Sequence, residues 1–168
     1  MSLGKRLIDK LKTGSEGPVE VTHDEVRARA DVVGSGAYGS EIRGLSIERA
    51  QPRGNEDPTR GERMQGVVDK ITADVGYLAE PVKPLEIDPS SGRGVLRTAR
   101  GSVTEREYYE ITVDGGDRVD VDRFRGREAG GRDRVSSNYG HGVLKRLVDD
   151  LEEVVGDRRE RVREDEEA

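Results

Sequence analysis

Apolar residues recur along this chain at two different periods. Met64, Val67, Val68, Ile71, Val75 and Leu78 fall three or four positions apart, which predicts one buried stripe on a helix over about 58–79. Val143, Leu144, Leu147, Val148, Leu151, Val154 and Val155 predict a second helix over about 142–155, with Gly156 as its stop. Leu3, Leu7, Ile8 and Leu11 predict a short amphipathic helix within residues 2–12. Elsewhere the period is two. Val26, Ala28, Ala30 and Val32 alternate with Arg27, Arg29 and Asp31, as the two faces of a half-buried strand do. Ile42, Gly44, Ser46 and Ile47 give a weaker strand, and residues 85–87 and 95–99 two short ones.

The clearest alternation runs through Tyr109, Ile111, Val113, Val119 and Val121, around Asp114-Gly115-Gly116. A three-residue turn there, with glycine at its left-handed position, pairs Val113 with Asp117, Ile111 with Val119, Tyr109 with Val121 and Glu107 with Arg123. A two-residue Gly-Gly turn would set Val113 against Arg118 and Ile111 against Asp120, so the apolar match selects the longer loop. The opposite face then carries Tyr108, Glu110, Thr112, Arg118, Asp120 and Asp122, with Glu110 facing Asp120.

Boundary signals complete the outline. Asp57 followed by Pro58 is a helix start, Thr59-x-x-Glu62 an alternative one, and Pro81 a stop. Thr22-x-x-Glu25 is also a capping box, so a helix over 23–31 competes with the strand there. Residues 126–142, rich in glycine and arginine, offer a short strand near Val135. The fold class these elements predict is α+β: a small antiparallel sheet of about four to six strands packed against two helices (58–79 and 142–155), with a short N-terminal amphipathic helix. The chain divides into a basic helix and linker (1–18), an α+β domain (19–156) and a charged tail (157–168) expected to be disordered.

Composition narrows the chemistry. The 168 residues are 38% charged and 32% hydrophobic, with a mean hydropathy of -0.81, so any core is modest. The absence of cysteine excludes disulfides, cysteine nucleophiles and thiolate metal sites, and fits a cytoplasmic location. No apolar run reaches the length of a membrane span, and the N-terminus has no apolar signal segment. A net charge of -6 gives no overall attraction to nucleic acid. The charge is uneven: Lys5, Arg6, Lys10 and Lys12 make the N-terminus basic, while the last residues are strongly acidic.

Four constellations carry candidate chemistry. Glu110, Asp120 and Asp122 share the outer face of the hairpin, where oxygen ligands would suit calcium or magnesium, although no D-x-D-x-D-G loop accompanies them. Gly34-Ser35-Gly36-Ala37-Tyr38-Gly39 follows a strand and resembles the glycine loop of protein kinases, whose amides cover ATP phosphates. No V-A-I-K lysine, H-R-D loop or D-F-G follows, and a glycine-rich hairpin turn accounts for the same letters. His23-Asp24 and His141, near Ser136 and Ser137, are the histidine candidates, without an acid placed by spacing to complete a triad. Finally, two strands, an arginine- and glycine-rich segment and a helix follow one another over 106–155. With Arg106, Tyr108, Arg123, Phe124 and Arg125 on the strands, this order resembles the sheets of the Pur-alpha and Whirly-type families. That resemblance implies single-stranded nucleic acid held by stacking and arginine.

No cofactor is implied, and no catalytic constellation stands out. The expected function is therefore a non-enzymatic domain acting through protein–protein contacts, as a scaffold or assembly component, through residues 1–12 and the C-terminal tail. A sheet-based single-stranded nucleic-acid module is the alternative.

Overall fold

The two periods of the sequence separate in space into a helical layer and a sheet. A computed structural model describes residues 1–53, 59–78, 81–98 and 107–156. Its elements run α1 (Leu3–Leu11), β1 (Gly17–His23), β2 (Val26–Ser35), β3 (Gly39–Arg49), α2 (Arg60–Asp74), β4 (Val82–Asp88), β5 (Arg93–Thr98), β6 (Glu107–Asp114), β7 (Arg118–Gly126), β8 (Arg132–Val135), β9 (Ser137–Gly140) and α3 (His141–Val155). The strands form one antiparallel sheet in the order β1-β2-β3-β7-β6-β5-β4, with β8 paired to β7 and β9 to β3.

This corrects the expected small sheet of four to six strands on two helices: the described residues hold nine strands and three helices. The extra strands carry a weak apolar signature, with only Val19 and Val21 alternating in β1. β1 reads G-P-V-E-V-T-H, and its turn to β2 is Asp24-Glu25, both at positive φ without glycine or asparagine. β8 and β9 are too short and too polar to show alternation. They are held by backbone pairing where β3 and β7 part, since β3 meets β7 only over Leu45–Glu48 and meets β9 over Gly39–Ile42. The competing helix over 23–31 is overturned, because Val26–Ser35 pairs on both sides as strand.

All three helices lie on one face of the sheet: α1 on β1 and β2, α3 on β3 and β9, α2 on β4, β5 and β6. Between the layers sit Val26, Ala28, Ala30, Ile47, Ile111, Val113, Val119 and Leu96 from the sheet, and Leu147, Val148, Leu151, Met64 and Val68 from the helices. α1 belongs to this core. Leu3, Leu7 and Leu11 are wholly buried, so its apolar stripe is spent inside the fold and offers no face to a partner. Asp149 and Glu152 of α3 accept the amides of Gly4 and Leu3 at 2.8 and 3.2 Å, placing negative charge at the positive end of α1.

Two boundaries move. α2 is capped by Thr59 rather than Asp57, which lies with Pro58 outside the described residues. It ends at Asp74, short of the expected 79, although Val75 and Leu78 stay buried. The β6–β7 hairpin keeps its predicted faces but shifts its register by two. Val113 faces Val119, Ile111 faces Val121, Tyr109 faces Arg123, Glu107 faces Arg125, and the loop is Gly115-Gly116-Asp117. A slip of two preserves side-chain sidedness, and this one replaces a Val113–Asp117 pair with Val113–Val119. It also frees Asp117 to turn inward, where Arg53 Nε donates to it at 3.2 Å and Arg49 and Arg63 stand within 4.0 Å.

Both sheet edges are blunted. On β1, Arg6 and Lys10 of α1 donate to the carbonyls of Thr22 and Glu20. On β4, Lys83, Pro84 and an irregularity at Leu85 break the line of free amides.

Candidate functional site

The outer face of the sheet, where the sequence placed its metal and nucleic-acid candidates, is closed by its own side chains. Glu110 faces Asp122 rather than Asp120, and its Oε1 accepts from Arg97 and Arg132, each at 2.9 Å. Burial pushes the Glu110 carboxyl up, but those two guanidinium groups outweigh it and hold it below the usual range. Asp120 pairs with Arg118 at 3.0 Å. Asp122 pairs with Arg134 at 2.8 Å, yet burial leaves its carboxyl above the usual range. The three carboxylates thus serve three sets of arginines instead of one ion. Among the described residues no group of three His, Cys, Asp or Glu side chains is arranged to hold a metal.

The stacking platform is likewise occupied. Tyr108 is only 3% exposed, with Arg97 stacked 4.7 Å from its ring centroid. Arg132 covers the Phe124 ring at 3.7 Å. Arg123 and Arg125 both close on Glu107, and Arg123 also donates to the Tyr109 hydroxyl at 3.2 Å. Arg106 lies outside the described residues.

His23 is not an isolated acid–base pair with Asp24, whose carboxylate is 3.7 Å away. Its Nδ1 meets Glu152 at 2.7 Å, tying β1 to α3 beside the start of α1. His141 meets neither Ser136 nor Ser137. Ser136 donates to Glu41 at 2.6 Å, and Ser137 shares a hydrogen bond with the Tyr109 hydroxyl. The partner of His141 is Ser40, on β3: Nε2 and Oγ are 2.9 Å apart, and Ser40 Oγ is 2.9 Å from Ser35 Oγ.

That chain of groups marks one end of the molecule. The glycine segment forms the β2–β3 hairpin, closed by Gly36 N–H donating to Gly39 O at 2.9 Å. β9 runs beside β3 with Gly39 opposite Gly140 and Ser40 opposite Tyr139. A Cβ on Gly39 would come within 2.9 Å of the Tyr139 carbonyl, so glycine is what lets the strands close. The first amide of α3, on His141, donates to Tyr38 O at 2.8 Å. Tyr38 itself is 90% exposed at the tip, and Val33 and Val143, on the two segments this bond joins, are also exposed. Between hairpin and β9 lies a cavity of about 340 Å³ bordered by Gly34, Ser35, Ser40, Glu41, Asn138 and Gly140.

One signal in the letters points to this end. Residues 32–40 and 135–144 are the two longest stretches without Asp, Glu, Lys or Arg, and they are the two that pair here. In a chain that is 38% charged, the fold gathers its uncharged segments into one surface. Comparison with protein-family models, with curated proteins and with solved structures finds no match.

Proposed function

We propose that this chain is a non-enzymatic contact module, a scaffold or assembly component, whose working surface is the uncharged end built from the β2–β3 hairpin, β9 and the start of α3. The observation that carries this is Tyr38, 90% exposed on a glycine hairpin that carries no charge. Cores of protein interfaces are depleted in charge and enriched in tyrosine, whose ring gives large contact area at small entropic cost. A hairpin anchored to α3 holds the Tyr38 backbone in place, which lowers the ordering cost of binding. The partner fitting such a tip is a protein surface with an apolar recess. The nucleic-acid alternative has less support, because Tyr108 is buried and Phe124 is already stacked.

The test compares baits. Immobilised wild type, Tyr38→Ser and Leu85→Ser are exposed to extract of the cells that make the protein, and retained proteins are quantified by mass spectrometry. A set retained by wild type and Leu85→Ser but lost from Tyr38→Ser supports the proposal. The same set on all three baits contradicts it.

A further inference from the structure

The outer face of the sheet holds an opening that its ion pairs leave unfilled. β3 parts from β7 beyond Leu45 and pairs with β9 from Ile42. In that interval Arg43 and Gly44 stand together opposite one residue of β2, Asp31. This is a β-bulge, which bends the strand and re-aims its side chains. Gly44 takes φ 98°, and a Cβ on it would overlap the Arg134 guanidinium. Glycine therefore lets Arg134 lie across the fork, where it donates to the Arg43 carbonyl at 3.2 Å and pairs with Asp122 at 2.8 Å. Beside this bridge is a cavity of about 280 Å³, bordered by charged residues of β2, β3, β7 and β8.

Most charges on that wall answer one another. Glu48 accepts from Arg27 at 2.7 Å, Arg118 pairs with Asp120 at 3.0 Å, and Arg134 holds Asp122. Arg29 and Asp31 remain. Arg29 is exposed and Asp31 half-buried, and among the described residues neither side chain has a hydrogen-bond or ion-pair partner. They stand two positions apart on β2, both border the cavity, and they do not pair with each other. Two unanswered charges of opposite sign in one cavity suit a ligand that carries both. The wall is also not neutral, with four carboxylates against three guanidinium groups. The surplus shows at Asp122, whose carboxyl burial raises above the usual range despite Arg134, with Asp120 and Glu110 adding to the rise. A second positive charge on the ligand balances that surplus. A bare metal ion does not fit: it would leave Arg29 unanswered, and among the described residues no group of three metal-ligating side chains is gathered.

We infer that this cavity is a site for a small amino-acid zwitterion, basic amino acids foremost, whose carboxylate meets Arg29 and whose ammonium groups meet Asp31 and the Asp120–Asp122 wall. A guanidinium binds a carboxylate through two parallel bonds, and an ammonium has three donors for surrounding carboxylate oxygens. The site is separate from the protein-contact surface, since no residue of the two uncharged stretches borders it. Its test is an NMR titration of the full chain at fixed ionic strength with L-lysine, L-glutamate and cadaverine, which is lysine without its carboxylate. Saturable shifts at the Gly44, Ser46 and Asp122 amides with lysine, tighter than with either other probe, support the site. Arg29→Gln should weaken lysine binding about fivefold, as loss of one exposed ion pair does, and leave cadaverine binding unchanged. Asp31→Asn should weaken both. Neither side chain has a partner in the fold, so both variants should keep the wild-type melting temperature and report on binding alone. Shifts that rise linearly with lysine, glutamate or cadaverine bound as tightly as lysine, or lysine binding undiminished in Arg29→Gln would overturn the inference.

Discussion

Ser40 Oγ stands 2.9 Å from His141 Nε2, although the two are 101 positions apart in the chain. The bond fastens the β2–β3 hairpin to the first residue of α3, and both partners are buried. Ser40→Ala would leave both ring nitrogens of a buried imidazole unmet. The expected loss is about 1–3 kcal/mol, read as a lower denaturant midpoint at unchanged slope. A variant as stable as wild type would show that the hairpin is held by its backbone pairing to β9 alone.

The N-terminal helix is part of the core, not an appendage. Leu7 is wholly buried on α1, so Leu7→Ala should cost about 2–5 kcal/mol. Removal of residues 1–12 should abolish cooperative melting, because it uncovers β1, β2 and α3 together. A truncated chain that melts like wild type would place α1 outside the fold's cooperative unit.

Glu110 links the outer face to pH. Its carboxyl is depressed in the fold, so its contribution is fully present above the unfolded value and is lost as pH falls through the folded one. Glu110→Gln should therefore cost about 1–3 kcal/mol at pH 7, and its deficit against wild type should shrink in urea melts at acid pH. Asp122 has the opposite sign. Its carboxyl is raised by burial, so its ionisation weakens the fold as pH rises out of the usual carboxylate range. A deficit for Glu110→Gln that is constant with pH would show that the Arg97 and Arg132 bonds do not depend on its charge.

The β1–β2 turn stores strain. Asp24 and Glu25 sit at φ 46° and 68°, a region that glycine, asparagine and aspartate tolerate, so the strain falls on Glu25. A two-residue hairpin turn with both positions left-handed prefers Asn-Gly or Asp-Gly, so the second position is the one out of place. The double variant Asp24→Asn, Glu25→Gly should gain about 1 kcal/mol, visible as a higher melting temperature. A lower one would mean that the side-chain contacts of Asp24 and Glu25 outweigh the strain.

Much of the fold was legible in the letters because burial leaves a period. The stripes of α2 and α3 and the alternation of β2, β6 and β7 all mark faces that pack on the core. β8 and β9 left no period, since their places are set by where β3 and β7 diverge, which is a tertiary fact. The hairpin register lies two residues from the expected one because Asp117, drawn inward by arginines distant in the chain, takes a place in the loop. The proposed contact end is half visible in the sequence. The glycine segment and His141 each stood out, but nothing local announces that Ser40 is the partner of a histidine so distant in sequence.

The most direct test of the contact surface is a photo-crosslinking residue placed at position 38, compared with one at position 85, in cells that make the protein. Leu85 is also exposed, on the blunted β4 edge, and serves as the control. A discrete crosslinked species is expected from position 38 and none from position 85, with the adduct from position 38 lost when Val33 and Val143 are changed to Ser. Equal crosslinking from both positions, or adducts from position 85 alone, would contradict it.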